Sequence, residues 1–270
     1  MATIISQNPY YFSLNLTIIL VLFFNLKSCC YCLNISNTQS WSPAGATWYG
    51  PRNGAGSDGG ACGFQDTVEI PPLSKLVSAG GPSLFKSGKG CGACFQVKCT
   101  TNSLCSGNPV QVVITDECPG CTAEAVHFDL SSTAFGAMAI SGHADQLLNV
   151  GVLQIQYIRV PCNFPGATVA FHVDLGANPY YFSTVIEYED GGGEVGSVEL
   201  QQGGSNSWLP MSQSWGSVWK LNSGSALTGP ISLRLTSLES HKTIVANAVI
   251  PAGWKPGQTY RSIVNFPPTF

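Results

Sequence analysis

The sequence predicts a mainly β protein built from two domains. Short runs rich in β-branched and aromatic residues alternate with glycine-rich loops in the first half, and runs in the second half alternate apolar and polar residues. Of the eleven cysteines, three lie at positions 29, 30 and 32, and the other eight fall between Cys62 and Cys162. We therefore expect a β domain held by disulfides, followed by a β domain that has none.

The N-terminal segment predicts secretion. Residues 16–26 form an apolar run of the length of a signal-peptide core, shorter than the roughly 18 to 20 residues of a membrane span. We expect residues 1–33 to be a signal peptide; a retained signal anchor is the alternative, because no Lys or Arg precedes the run. Asn34, in the sequon Asn34-Ile35-Ser36, is then a candidate glycosylation site. We expect no membrane span in the mature chain.

The charge content argues against nucleic acid as a partner. Charged residues make up 10% of the chain, and 12 Lys and Arg against 15 Asp and Glu give a net charge of -3. Nucleic-acid-binding surfaces need clustered basic residues, whereas the basic residues here are few and scattered. We also expect a monomer without a metal or cofactor.

The first domain, residues 46–162, is predicted to be compact and β-rich. Residues 131–139 are the predicted helix, with Ser131 or Ser132 as the N-cap. Residues 53–60, with the sequence NGAGSDGG, predict a surface loop beside a cleft. The strands expected from β-branched and aromatic residues cover 95–99, 110–115 and 153–160.

The second domain, residues 168–270, is predicted to be a β-sandwich. Residues 163–167 are expected to form a short stiff linker, because the prolines in and before it restrict the backbone. Many short strands separated by turn residues over about 100 residues are typical of a sandwich. The predicted strands cover 168–175, 182–188, 195–201, 231–236, 243–249 and 260–264.

Residues 110–130 contain the candidate site. Asp116 ends a predicted strand, and Asp129 follows His127 and Phe128 just before the predicted helix. A carboxyl group beside an imidazole and an aromatic ring suits the polarisation of a ligand oxygen. An Asp that caps the helix beginning near Ser131 is the alternative.

The pairs Cys91-x-x-Cys94 and Cys118-x-x-Cys121 allow two interpretations. They resemble the ligand pairs of a zinc ribbon, but 23 residues separate them and secretion favours oxidation over metal binding. Disulfides are therefore expected, and the spacing alone leaves their connectivity open.

Several motifs carry a resemblance to a known family. In the first half they are ATWYG (46–50), GGACGF (59–64), GKGCGACFQVKC (88–99), RVPC (159–162) and the HFD triplet that ends at Asp129. In the second half they are FHV (171–173), NPYY (178–181), EYEDG (187–191), SWGSVWKL (214–221) and VANAVIPAGW (245–254). The chain therefore resembles the plant expansins. FGAMA (135–139) and EYEDG make it more similar to the β-expansins, relatives of the group-1 pollen allergens of grasses.

The resemblance implies a six-stranded double-psi β-barrel, similar to family-45 glycoside hydrolases, followed by an immunoglobulin-like β-sandwich that binds cellulose. It also implies a pairing of the cysteines, in which the last pair is left for each other. The implied disulfides are Cys62 with Cys91, Cys94 with Cys162, Cys99 with Cys105, and Cys118 with Cys121.

The resemblance further implies a protein of the plant cell wall that loosens the wall without hydrolysis. Its partners are then cellulose and matrix polysaccharides of the xylan or xyloglucan type. Asp129 matches the general acid of the hydrolases, whereas expansins lack the segment that carries the catalytic base. A weak endoglucanase in which Asp58 or Asp116 serves as the base is the alternative.

The remaining cleft residues are also assigned by resemblance. His127 is expected to orient a neighbour rather than to act as a base. Trp48 is expected either to stack on a sugar or to pack in the core, and Arg159 either to pair with a cleft acid or to join the domains. The complete cleft set is Thr47, Trp48, Tyr49, Asp58, Asp116, His127, Asp129 and Arg159.

The second domain needs exposed aromatic side chains if it binds sugar, because the apolar face of a pyranose ring stacks on flat rings. Tyr181 and Trp208 match the platform positions of the family. Trp215, Trp219 and Trp254 are expected in the core.

Overall fold

The first six strands close into a barrel. The computed structural model describes residues 40–58 and 60–270, so the predicted signal peptide and Asn34 lie outside the described residues. The strands are β1 (Ser42–Tyr49), β2 (Val77–Gly80), β3 (Cys94–Lys98), β4 (Val110–Glu117), β5 (His127–Ser131) and β6 (Leu153–Arg159). Their order is β1-β5-β2-β4-β3-β6; β1 with β5 and β2 with β4 are parallel, and the other neighbours are antiparallel. The six-stranded barrel is confirmed.

Three short helices flank the barrel: α1 (Pro82–Phe85), α2 (Ser132–Ala137) and α3 (Ala144–Val150). Ser131 caps α2, because its hydroxyl accepts a hydrogen bond from the N–H of Ala134 at 3.0 Å. Asp129 lies inside β5, so its interpretation as the helix cap was wrong. Phe128 and Leu130 are fully buried in the barrel core, and strand alternation turns Asp129 toward the opposite face.

The remaining strands form two sheets packed face to face. The five-stranded sheet has the order β11-β12-β8-β7-β15, and the four-stranded sheet has the order β10-β9-β13-β14. Phe171, Phe182 and Leu233 are fully buried between them, which confirms the immunoglobulin-like sandwich. The strands are β7 (Ala170–Val173), β8 (Tyr181–Glu187), β9 (Val195–Gln201), β10 (Leu209–Pro210), β11 (Ser212–Trp215), β12 (Val218–Asn222), β13 (Ile231–Ser237), β14 (Thr243–Ile250) and β15 (Thr259–Arg261).

The cysteines pair as the resemblance implies. The four disulfides are Cys62–Cys91, Cys94–Cys162, Cys99–Cys105 and Cys118–Cys121. A zinc ribbon would need Cys91 and Cys94 to hold one ion together, but each is bonded to a different cysteine. The zinc interpretation was therefore wrong.

The barrel and the sandwich share a buried contact. Phe164, in the predicted linker, is 6% exposed and belongs to an apolar cluster that includes Phe64 and Val113 of the barrel and Val185 of the sandwich. The residues between the two folds are therefore packed, and the two folds form one compact unit from Ser40 to Phe270. Within the described part of the chain, no helix is long and apolar enough to cross a membrane.

Candidate functional site

Parallel pairing of β1 and β5 brings Thr47 beside Asp129. These two residues are register partners, and Oγ1 of Thr47 donates a hydrogen bond to Oδ1 of Asp129 at 2.6 Å. The same Oγ1 lies 3.0 Å from Nε2 of His127. His127, Thr47 and Asp129, three of the predicted cleft residues, therefore form the centre of the candidate site.

Glu124 is a fourth member of this group, and sequence reasoning missed it. Its Oε2 lies 2.8 Å from Nδ1 of His127, while its Oε1 accepts a hydrogen bond from Gln154 at 3.2 Å. His127 is 6% exposed and is engaged at both ring nitrogens. This supports the expectation that His127 orients its neighbours.

Asp116 faces the same site across one intervening strand. Ala79 of β2 pairs with Asp129 on one side and with Asp116 on the other, so the two aspartate Cα atoms lie about 9 to 10 Å apart, two strand spacings. The Asp116 carboxylate accepts hydrogen bonds from the Ser57 hydroxyl and from the N–H groups of Ala61 and Glu117, at 2.7, 2.6 and 2.8 Å. Asp116 therefore anchors the glycine-rich loop.

Burial sets the protonation of the central carboxyl group. Desolvation raises the pKa of Asp129, the Thr47 hydroxyl and His127 act in the opposite direction, and the charge of Asp116 adds to the rise. The Cys118–Cys121 disulfide flanks this carboxyl group, since a carboxylate oxygen and both sulfur atoms lie within 4.8 Å of one another. Asp129 is thus an acid that keeps its proton to a higher pH than an exposed aspartate.

Tyr49 adds a neutral hydroxyl to the site. Burial and the nearby Asp116 and Asp129 raise the pKa of this phenol, so it stays protonated. Its oxygen is buried without a hydrogen-bond partner among the described residues, and it can therefore serve as a donor when a ligand reaches it.

Three other residues predicted in the cleft lie apart from this group: Trp48, Asp58 and Arg159. Trp48 turns toward α3 and donates from Nε1 to the carbonyl of Leu148 at 2.9 Å, half-buried rather than fully in the core. Asp58 is exposed in the loop.

Arg159 does not line the cleft, and that prediction is corrected. Its guanidinium donates to Glu194 at 3.0 Å and to the carbonyl of Gly192 at 2.6 Å, both in the sandwich. It also lies 3.4 Å from Glu239 and stacks over Phe95 at 5.0 Å. Arg159 therefore joins the two folds.

Comparison with known proteins identifies the family. The expansin C-terminal domain matches residues 169–251, and a domain described as a lytic transglycolase matches residues 77–157. Expansin-B11 of Oryza sativa subsp. japonica is 58% identical over 237 residues, covering 86% of this chain and 80% of the relative. Expansin-B4 of Arabidopsis thaliana is 55% identical over 240 residues, covering 88% and 92%. The chain belongs to the expansin family. Its expansin-B relatives place it among the β-expansins.

Solved expansin structures share this architecture. The apo structure of Clavibacter michiganensis expansin has a TM-score of 0.62 and 25% identity, over 86% of this chain and 100% of that one. A variant of the same bacterial expansin, solved in complex with cellohexaose, has a TM-score of 0.64 and 24% identity over the same shares.

The aromatic residues of the sandwich are placed differently from the prediction. In this expansin, Trp208 precedes a strand of the four-stranded sheet and stacks with Arg234 at 4.5 Å, whereas Tyr181 begins a strand of the five-stranded sheet. Tyr181 and Trp208 thus belong to different sheets. Trp219 is 6% exposed and Trp254 is partly buried, as expected for core residues.

Trp215 is 51% exposed, so its assignment to the core was wrong. It pairs with Val218, which pairs with Val185, and Val185 shares its sheet face with Tyr181 four residues away. Trp215 also covers Gly63 of the barrel, where an added Cβ would meet its ring at 3.0 Å. Tyr181 and Trp215 thus lie on one face that reaches the barrel.

Proposed function

We propose that this expansin loosens plant cell walls by disrupting non-covalent contacts between cellulose and matrix glucans, without hydrolysis. The observation that carries the proposal is the engagement of Asp116 by three hydrogen-bond donors: the Ser57 hydroxyl, the N–H of Ala61 just after the glycine-rich loop, and the N–H of Glu117 on the same strand. An inverting hydrolase needs a second carboxylate, about 6.5 to 9.5 Å from the acid, that is free to activate water. Asp116, which faces Asp129 across one strand, is held by its donors and is not free in this way.

The proposed glucan site is the surface around Asp129. The Tyr49 hydroxyl donates to sugar oxygens, and the free oxygen of the protonated Asp129 carboxyl group and Thr47 accept from sugar hydroxyls. Protonation lets the site form neutral hydrogen bonds that replace those between two polysaccharides. The raised pKa of Asp129 then makes the activity greatest on the acid side.

The proposed cellulose platform comprises Tyr181 and Trp215. Flat rings on one sheet face can stack on separate sugar rings of one extended chain. The complex of the Clavibacter expansin with cellohexaose supports cellulose as the class of ligand. The relatives named expansin and the four disulfides support secretion to the cell wall. Matrix partners of the xylan or xyloglucan type, and action as a monomer, are part of the same proposal.

The test is extension of isolated walls under constant load at acidic pH. Asp129→Asn should reduce the creep rate roughly two- to tenfold, since a neutral hydrogen bond contributes about 0.5 to 1.5 kcal/mol. Asp145→Asn is the matched control, because Asp145 is exposed on the same domain and pairs only with Arg52 among the described salt bridges. Undiminished creep in Asp129→Asn sinks the proposed site.

A second experiment tests the platform. Trp215→Ala should weaken binding to crystalline cellulose about tenfold, the order expected for the loss of one stacked ring. Trp208→Ala, which changes the same residue type on the other sheet, should leave binding within about twofold. A greater loss of cellulose binding in Trp208→Ala than in Trp215→Ala would instead place the platform on the four-stranded sheet.

A weak endoglucanase is the second candidate function. The strand register favours it, since the Cα spacing of Asp116 and Asp129 is close to the carboxylate spacing of inverting enzymes. It requires Asp116 to leave its loop donors, or Asp58 to approach Asp129. Release of reducing ends from a soluble β-glucan, abolished by Asp116→Asn, would establish this alternative.

A further inference from the structure

Four side chains form a continuous hydrogen-bonded chain that ends at Asp129. Glu124 Oε2 lies 2.8 Å from His127 Nδ1, His127 Nε2 lies 3.0 Å from Thr47 Oγ1, and Thr47 Oγ1 lies 2.6 Å from Asp129 Oδ1. Each distance is that of a hydrogen bond. We call Glu124, His127, Thr47 and Asp129 the relay.

The three hydrogen bonds of the relay require one more proton than the Thr47 hydroxyl and a neutral His127 imidazole provide. Three hydrogen bonds need three protons, of which the Thr47 hydroxyl brings one and a neutral imidazole brings one. The third is an acid proton on Glu124, His127 or Asp129. The contact with His127 lowers the pKa of Glu124, whereas burial raises that of Asp129. The extra proton therefore belongs to the pair of Asp129 and His127.

Two proton arrangements satisfy all three contacts when Glu124 is ionised. In the first, protonated Asp129 donates to Thr47, the Thr47 hydroxyl donates to Nε2 of a neutral imidazole, and Nδ1–H donates to Glu124. In the second, Thr47 donates to ionised Asp129, and the imidazolium donates to Thr47 and to Glu124. Conversion of the first into the second breaks the O–H bonds of Asp129 and Thr47 and forms new Thr47 O–H and Nε2–H bonds. One proton moves along the relay, and none is gained or lost.

We propose that Glu124 is a positioning residue that holds the Nδ1–H form of His127 and thereby keeps one exchangeable proton on the pair of His127 and Asp129. The inference rests on the proposed function, in which Asp129 is the acid of the glucan site. In Glu124→Gln, Nδ1 loses its charged acceptor. The amide can also donate to Nδ1, so the imidazole can carry its only proton on Nε2 and donate it to Thr47.

The residues packed around Glu124 and His127 favour the contact between them. At Gly45 on β1, an added Cβ would lie 2.6 Å from Oε2 of Glu124 and 2.7 Å from Nδ1 of His127, so a side chain there would force the two apart. Gln154 on β6 donates to the other oxygen of Glu124 at 3.2 Å and fixes the carboxylate. The contact thus depends on a glycine and an amide that surround it.

Other ionisable groups near the relay also affect how its titration depends on pH. Two ionisable side chains on neighbouring strands face Asp129: Asp116 on β4 and Tyr49 on β1. Ala79 on β2 and Gln154 on β6 are uncharged. Asp116 raises the pKa of Asp129 in the wild type and in any Glu124 variant, so it does not account for a difference between them.

The experiment is an NMR titration of the mature protein that follows the His127 ring nitrogens and the Asp129 carboxyl carbon. In the wild type, neutral His127 should be the Nδ1–H tautomer. In Glu124→Gln, the Nε2–H tautomer should appear and the Asp129 midpoint should move up. Gly45→Ala, which displaces Glu124 sterically, should reproduce these shifts. Glu117→Gln, at an exposed acid of β4, should not.

The inference is overturned if wild-type His127 is the Nε2–H tautomer, or if Glu124→Gln and Gly45→Ala both leave the His127 tautomer and the Asp129 midpoint unchanged. Wall creep separates this outcome from failure of the proposed function. A changed tautomer and a shifted Asp129 midpoint, together with normal creep in Asp129→Asn, would keep the relay and refute the function. With both correct, the pH at which creep falls to half its maximum should be higher in Glu124→Gln than in the wild type.

Discussion

The first prediction concerns Glu187, a buried acid where the barrel meets the sandwich. Glu187 on β8 is 4% exposed, and Thr67 of the barrel donates to its Oε1 at 3.4 Å. Burial raises the pKa of Glu187 to about 7 and that of the neighbouring Glu189 to about 8, while Arg261 partly offsets the rise at Glu187. A cavity of about 10 Å³ touches both side chains, close to the space of one water molecule.

The sign of the pH effect follows from linkage. An acid with a higher pKa in the folded than in the unfolded protein favours folding when it is protonated. For Glu187 this contribution is complete below about pH 4.5 and is lost as the pH rises to about 7. At about 1.4 kcal/mol per pH unit, Glu187 lowers the free energy of unfolding by about 3 kcal/mol between these limits.

Glu187→Gln removes this dependence and keeps the side-chain volume. In urea unfolding, the variant should match the wild type at pH 5 and exceed its stability at pH 8 by up to about 3 kcal/mol, or roughly 5 to 10 °C in Tm. Glu117→Gln, an exposed acid, is the control and should change neither value. Equal pH slopes for Glu187→Gln and the wild type would refute the reasoning.

Three further substitutions test the site. Thr47→Val removes the hydroxyl that favours ionised Asp129, so the pKa of Asp129 should rise; a carboxyl ¹³C titration measures it, and a fall would contradict the assigned contact. Asp116→Asn should lower the free energy of unfolding by about 1 to 3 kcal/mol and make the glycine-rich loop easier to cleave in limited proteolysis; an unchanged cleavage rate would exclude Asp116 as its anchor. Removing Cys118 and Cys121 together should cost little stability, because their bridge closes a very short loop, yet it should lower the pKa of Asp129 by hydrating it. An unchanged titration would show that the bridge does not desolvate that carboxyl group.

The sandwich strands were largely readable from the sequence. β9 was predicted with its observed bounds, and β13 and β14 were within one residue at their ends, because β-branched residues alternate there with polar ones. β1, β2 and β5 were missed, since their pairing with distant strands, rather than their composition, holds them extended. α3 was also missed, and no side chain caps its first turn.

The site residues were also hard to predict, because their contacts depend on distant parts of the chain. Thr47 and Asp129 are far apart in the chain and meet only because β1 and β5 run parallel, which the family resemblance supplied and residue patterns did not. Trp215 was assigned to the core because aromatic residues of a sandwich are usually buried. It is exposed because β11 is an edge strand.

The roles of Arg159 and Glu124 depend on contacts that no local sequence pattern predicts. The acid that Arg159 pairs with, Glu194, lies in the sandwich, so only the packing of the two folds decides its role. Glu124 lies three residues before His127, a spacing that predicts no contact outside a helix. Here the turn before β5 and Gly45 allow it.

The most direct test of the account measures creep and bond cleavage on the same wall sample. Walls held under load at acidic pH are treated with the wild-type protein, and the extension and the newly released reducing ends are recorded together. The account predicts sustained extension with no reducing ends above those of untreated walls, and loss of the extension in Asp129→Asn. Reducing ends that increase in proportion to the extension, and disappear with it in Asp129→Asn, would contradict the account and establish hydrolysis.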